Sequence, residues 1–541
     1  MKDNKEILII GSGISGLTCA IESAARGIHV TLVSPYSSER AQSVLAAGGI
    51  NAVLHKEASE DSIECHISDT LKGGLNIAGK EAVRGLCEDA PQIIKWLEKI
   101  GTVFTREDGN VAQRAFGGQT YNRTCYCGAS TGKQIVTALI MEARRYECMG
   151  LITRRNRTQF MRALIKDGRC YGAVVFDEAS GSPEVITADA VVMATGGQNC
   201  LFGKTTGSKL NDGYAAGRLF MQGVDLKNLE FIQYHPTTIR TSQKKMLVSE
   251  AARGEGGRLY YMDGDRRVYF MEDKFGPKGN LMPRDVVSRC IYETGKQVYL
   301  DVSFLGREKI MKRIPEVYDL CMKYIGIDIS RESIPIEPSV HFFMGGIAVN
   351  LKHQTNIEDL YAVGECASIY HGANRLGGNS LLAAVYSGKV AAAAIDDKAE
   401  RREDVLFDEE LNAAKKALQE EAGGSLTAED VRVKLASVMN INLGIVREDS
   451  ELLKGIEDID SLISECQGGL RGSSYERYTM IPVLMLARAV LICARERKES
   501  RGSQLRRDYP DTSEDYGCAT IISYDGGDFS VTYDREGRYE S

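Results

Sequence analysis

The 541-residue chain holds seven histidines, and three of them fall among arginine- and glycine-rich motifs. "EFIQYHPTT" carries His235, "PSVHFFMGGIAVN" carries His341, and "HGANRLGGNSLLAA" carries His371, Asn374 and Arg375. Two further segments lie between them. "SEAARGEGGR" holds Ser249, Glu250, Arg253 and Glu255, and "MPRDVVSR" holds Arg284, Asp285 and Arg289. Guanidinium pairs with carboxylate in bidentate geometry. Two arginines with two histidines therefore form a set that binds two carboxylates at once.

Such a set needs a scaffold. "EILIIGSGISG" is an apolar run ending in Gly11, Gly13 and Gly16 at GxGxxG spacing, and "LTCAIESAARG" continues with helical periodicity as far as Gly27. Strand, glycine turn and helix in that order bring backbone amides and a positive dipole end to a pyrophosphate. Val33 and Ser34 stand where an acidic residue commonly closes the second strand. A carboxylate on the ribose is thus not supported, which weighs against a generic NAD site. "ADAVVMATGG" ends at Gly196 and Gly197, and "IEDLYAVGECAS" puts Gly364 and Glu365 at a strand end.

Strand ends returning to glycine near 10, 196 and 364 predict an α/β protein. Its Rossmann-like nucleotide domain is discontinuous, assembled from 1–229 and 346–404, with an inserted α+β capping domain over 230–345. Apolar stripes and charged faces predict a helical domain over 405–500. A short C-terminal segment with a turn and brief strands follows over 501–541.

The remaining composition excludes other classes. The net charge of −7 argues against nucleic-acid binding. Fourteen cysteines form no CxxC ladder for iron–sulfur or zinc, so they read as reduced, mostly buried thiols. The chain opens directly into a strand, without a secretory signal. "MIPVLMLARAVLICA" is interrupted by Arg488 and reads as a buried helix, not a membrane span. The expected location is cytoplasmic, or peripheral to a membrane through partner subunits.

From residue 6 to about 515 the chain resembles the flavoprotein subunit of the succinate dehydrogenase/fumarate reductase family, which includes L-aspartate oxidase. "QYHPTT", "EAARGEGG", "PRD", "HFFMGG" and "GANRLGGNSLL" carry the resemblance. It implies FAD held by Gly11, Ser12, Gly13, Ser15, Gly16, Ser34, Ser43, Ala47, Gly48, Gly49, Ala194, Thr195, Gly196, Asp212, Glu365, Arg375, Asn379, Ser380 and Leu381. It implies fumarate or succinate between the flavin and the capping domain, with His341 and Arg375 on one carboxylate and His235 with Ser249 on the other. Hydride transfer at flavin N5 would be paired with a proton from Arg284, and Glu250 and Arg253 would form the relay that restores it. With no cluster ligands on this chain, an iron–sulfur electron-transfer subunit is the expected partner.

By the same resemblance, "ERAQSVLAAGGINAV" over residues 39–53 runs beneath the isoalloxazine ring, where Ala46 to Gly49 leave room for a flat ligand. Membrane-complex members carry a flavin-linking histidine six residues before the first of these glycines; Gln42 stands there, which implies non-covalent FAD. L-Aspartate oxidases typically carry glutamate where this chain has Phe116, so a substrate ammonium lacks a partner. A flavin electron-transfer subunit without substrate chemistry is a third reading. Retention of His235, Arg253, Arg284, His341 and Arg375 argues against it. Ala129 and Asn211 depart from the family pattern, which usually has aspartate at the first and Gly-Asp-Gly around the second.

Overall fold

The computed structural model describes residues 5–54, 60–128, 130–242, 244–397, 405–419 and 423–539. Ala129 and the expected division at 404/405 lie outside these residues. Five parallel strands form the nucleotide sheet, in the spatial order Leu360–Ala362, Ala190–Met193, Glu6–Ile10, His29–Ser34 and Ile152–Asn156. Leu8, Ile9, Val191, Val192 and Tyr361 are buried. Such apolar runs suit strands covered on both faces. The helices Ile14–Ala25 and Asn379–Asp396 pack closely against each other. A side chain on Gly388 would lie 2.7 Å from the Ser15 carbonyl oxygen.

Three of these strands end at a glycine turn: Gly11, Gly196 and Gly364, with φ of 113°, 75° and 72°. L-residues avoid this region, and glycine occupies it freely. At Gly11 a Cβ would also overlap the Ala194 carbonyl, and at Gly16 it would overlap the Gly11 carbonyl. The GxGxxG spacing is therefore a packing requirement as well as a turn.

An antiparallel three-stranded meander, Thr158–Lys166, Arg169–Asp177 and Ser182–Thr187, interrupts the parallel sheet. A six-stranded antiparallel sheet builds the inserted region. Its order is Lys245–Leu247, Ile232–Arg240, Ile334–Phe343, Val298–Asp301, Arg258–Asp263 and Arg266–Val268. This region has its own core, including Ile239, Leu259, Val287, Leu300 and Ile336.

The helices Ala428–Val438 and Ser474–Glu496 begin with capping boxes, Thr427 with Asp430 and Ser473 with Glu476. These reciprocal bonds satisfy otherwise orphaned first-turn donors. Ser474–Glu496 is the one helix among the described residues long and apolar enough to cross a membrane. Here it is mostly buried in the protein core, and Arg488 Nε donates to Asp460 Oδ1 at 2.6 Å.

The C-terminal hairpin, Ala519–Asp525 and Asp528–Asp534, adds to a sheet through Leu226–Lys227. It is anchored by Arg497, which is fully buried. Arg497 donates to Glu230 Oε1 at 2.6 Å, to Glu499 Oε1 at 2.8 Å, and to Thr520 Oγ1 and two backbone carbonyls.

Candidate active site

A cavity of about 1690 Å³ runs from the first glycine turn to the inserted sheet. Gly11, Ser12, Gly13, Ser15 and Ser34 line one part, with Ser43, Ala47, Gly48, Gly49, Ala194, Thr195, Gly196 and Asp212. Glu365, Ser380, Leu381 and Phe116 line it too, with His235, Ser249, Glu250, Arg284, His341 and Arg375. The sequence motifs around 40–49, 235–250, 284, 341 and 365–381 thus converge on one space. Gly16, Arg253 and Asn379 do not line it. Gly16 packs on Gly11, and Arg253 lies behind Glu250. Asn379 is fully buried, with its Nδ2 donating to Thr70 and its Oδ1 accepting from Asn51 Nδ2 at 2.7 Å.

The glycine end fits a diphosphate. The helix Ile14–Ala25 starts with no bond from its N-cap side chain and no acidic residue in its first turn, so no charge offsets its dipole at the cavity. Ser43 ties the ring-floor segment to this helix, its Oγ accepting from Ile14 N at 3.3 Å. The floor is two short helical turns, Ser38–Arg40 and Gln42–Leu45, followed by Ala46 to Gly49. A Cβ on Gly48 would press on the Phe116 ring at 3.1 Å. Arg114, which the motifs did not single out, supports this floor by donating to the carbonyls of Ala47 and Gly48. Burial pushes Glu365 up to about 7, and its Oε1 accepts from Phe343 N at 3.2 Å. These features fit a flavin dinucleotide: a helix start free of acidic residues for the diphosphate, small residues beneath a flat ring, and polar groups between.

At the other end, Arg284 donates to Glu250 Oε2 from Nη2 at 2.6 Å and from Nε at 2.9 Å. Glu250 Oε1 lies 3.2 Å from Arg253 Nη2 and accepts from Gly117 N at 3.1 Å. Burial alone would raise Glu250, but Arg284 and Arg253 outweigh it and bring it down to about 2. Burial lowers Arg253 from its ordinary value.

Gln233, absent from the sequence candidates although it sits in "QYHPTT", bridges the two arginines. Its Oε1 accepts from Arg284 Nη1 at 3.1 Å and from Arg375 Nη2 at 2.9 Å. Its Nε2 donates to Asn374 Oδ1 and to the Arg375 carbonyl, both at 2.8 Å.

The His235 and His341 rings lie 5.2 Å apart, edge to face. Burial, with Arg284 and Arg253 nearby, holds His235 well below the ordinary histidine range. Burial, His235 and Arg284 do the same to His341. Both imidazoles are therefore neutral near pH 7, and the arginines carry the site's positive charge. Thr206 Oγ1 sits 2.8 Å from His341 Nδ1. His235 Nε2 and Arg375 Nε are buried without a partner, which suits groups awaiting a polar ligand. His371 lies outside the cavity, edge-on to Phe342.

The family described as FAD binding domain matches residues 6–381, and the one described as fumarate reductase flavoprotein C-term matches 432–537. The succinate dehydrogenase flavoprotein subunit of Bacillus subtilis is 36% identical, over 96% of this chain and 93% of that one.

The chain belongs to the succinate dehydrogenase/fumarate reductase flavoprotein family.

L-Aspartate oxidases are also relatives, at 32% identity for that of Yersinia pestis, over 94% of this chain and 97% of that one. A quinol–fumarate reductase with menaquinol superposes with a TM-score of 0.91 at 29% identity, over 98% of this chain and 97% of its own. The chain is thus an FAD-dependent oxidoreductase of this flavoprotein family. None of its cysteines forms a disulfide, and no group able to hold a metal occurs among the described residues.

Proposed function

We propose that this chain is the catalytic flavoprotein subunit of a fumarate reductase or succinate dehydrogenase, with non-covalent FAD and an iron–sulfur partner subunit. The carrying observation is Gln233 holding Arg284 and Arg375 side by side, with Glu250 behind Arg284 and two neutral imidazoles beside them. Two fixed guanidinium groups and neutral imidazole donors match the two carboxylates of a C4 dicarboxylate. Phe116 lines the cavity at the position where L-aspartate oxidases typically carry glutamate, which favours this reading over aspartate oxidation.

Bound at the glycine cradle, the flavin supplies two-electron redox chemistry. The residues bind, polarise and protonate. His341 and Arg375 hold one carboxylate; His235 and Ser249 hold the other. Charge building on the dicarboxylate during reduction meets fixed guanidinium groups, which need no reorganisation at that moment. Arg284 donates the proton to carbon. Guanidinium, with a pKa above about 12, is a poor acid in water. Here it lies in a buried site beside further positive charge, and Glu250 connects it to Arg253. Burial lowers Arg253, making it a readier source for the replacement proton. The two carboxylate oxygens of Glu250 face different arginines, the arrangement a relay requires. Succinate oxidation uses the same groups in reverse. Location at a membrane would come through the partner, since the one long apolar helix among the described residues is mostly buried in the core.

Flavin-loaded protein should oxidise reduced viologen with fumarate and form little peroxide from L-aspartate. Robust aspartate-dependent peroxide without fumarate turnover would overturn the assignment.

A further inference from the structure

A second charged feature lies on the same cavity. Lys204 and Lys209 project from the loop between the helical turn Asn199–Phe202 and the helix Tyr214–Phe220. Lys244 belongs to the turn joining the inserted strands Ile232–Arg240 and Lys245–Leu247. All three line the cavity that holds His341 and Arg375. The turn and the loop meet through Lys245 N donating to Thr205 O at 3.2 Å. The next residue, Thr206, contacts His341. The lysines therefore sit on the approach to the carboxylate clamp.

Among the described residues, none of these three cations is held in an ion pair, although carboxylates such as Asp212 and Glu429 line the same cavity. Neighbouring Arg240 and Lys245 both engage Glu337, at 2.9 Å and 3.3 Å. No ion pair joins Lys204, Lys209 or Lys244 to a carboxylate among the described residues. Lys244 is half-buried, and burial lowers it from the ordinary lysine value. A half-buried cation without a counter-ion costs stability, so its placement calls for a ligand that visits. The chain as a whole is acidic, at −7. A local positive cluster at a cleft mouth focuses the field against that background.

We propose that Lys204, Lys209 and Lys244 form a port that captures small dianions and passes them to the clamp. The proposal rests on the dicarboxylate reading above. A small dianion is the favoured occupant because the lysines line the cavity itself and Lys244 is partly withdrawn from the surface. A docking protein would reach only the rim. The port would raise the capture rate, through a long-range term that salt screens within about 10 Å at 0.1 M.

The test is a single turnover without any electron donor present. Holoprotein with pre-reduced flavin is mixed with fumarate, and the second-order reoxidation constant is followed against ionic strength. Wild type should show a constant that falls steeply with salt. Lys204→Gln/Lys209→Gln/Lys244→Gln should lower it about tenfold at low salt, flatten the slope, and converge with wild type at high salt. The corresponding triple Lys→Arg variant should keep the wild-type slope, which separates charge from folding. An unchanged constant and slope in the Gln variant would overturn the port. So would a defect confined to reduction by a partner protein, which would make the patch a docking surface. No reoxidation of wild type by fumarate would instead overturn the dicarboxylate function, and the port with it.

Discussion

Asn211 Nδ2 donates to Gln42 Oε1 at 3.1 Å, across 169 residues of sequence. The same oxygen accepts from Ser208 N at 2.5 Å. Both residues mark departures from the family pattern, and the structure brings them into contact. Gln42 thus joins the helical turn Gln42–Leu45 to the loop carrying Thr206, and through Thr206 to His341. Its amide is occupied in holding that loop, and an amide forms no link to a flavin methyl carbon.

FAD should therefore be released on acid precipitation, with the yellow colour in the supernatant. Colour staying with the pellet would contradict this. Gln42→Leu strands two donors and should weaken dicarboxylate binding about tenfold, read as a shift in the concentration that perturbs the flavin spectrum.

Arg284→Gln should retain flavin yet lose at least ~10³-fold in fumarate reduction, since it removes donor and charge together. Glu250→Gln should impair turnover while dicarboxylate binding persists. A tenth of wild-type activity in Arg284→Gln would assign the proton to another group.

The motif residues of this site were legible because each motif places a histidine, an arginine or a glutamate in a short stretch with glycine or proline close by. Its supports were less so. Gln233 and Thr206 are ordinary polar residues whose roles arise only when strands and loops from separate stretches meet. Arg114 opens the segment "RAFGGQTYNRT", which was telling in sequence only for Phe116. The nucleotide sheet was readable from apolar runs ending in glycine. The C-terminal hairpin was readable as short strands, but its pairing with Leu226–Lys227 was not. A two-residue strand has no periodicity to read.

Acid should destabilise the holoprotein well above the carboxylate range. His66 and His353, both outside the cavity, are held at about 4 by burial, below the ordinary 6.5. Between these values the unfolded chain binds protons that the folded chain does not, so this contribution is complete above pH 6.5 and shrinks as pH falls toward 4. At pH 5 the loss is on the order of 2 kcal/mol per histidine. Urea midpoints at pH 7.5 and pH 5 measure it, and equal midpoints would refute it.

Arg497→Met should cost about 3–5 kcal/mol, because it leaves Glu230 buried without its cation, while Glu499 keeps Arg501. Limited proteolysis should then cut first in the C-terminal hairpin. Cleavage elsewhere with the hairpin intact would show that Arg497 does not anchor it.

The strand order of the nucleotide sheet also sets a timetable for biosynthesis. Its first strand begins at residue 6 and its last ends at residue 362. At ribosomal speeds of about 5–20 residues per second, roughly 20–70 s separate the two. Once made, Ala190–Met193 lacks one of its neighbours until Leu360–Ala362 follows, and the helix that begins at Asn379 comes later still. The elements around the cradle are therefore complete only after residue 379 has been made. The supply of FAD in the cell would govern how many finished chains mature, while leaving the rate at which they are made untouched.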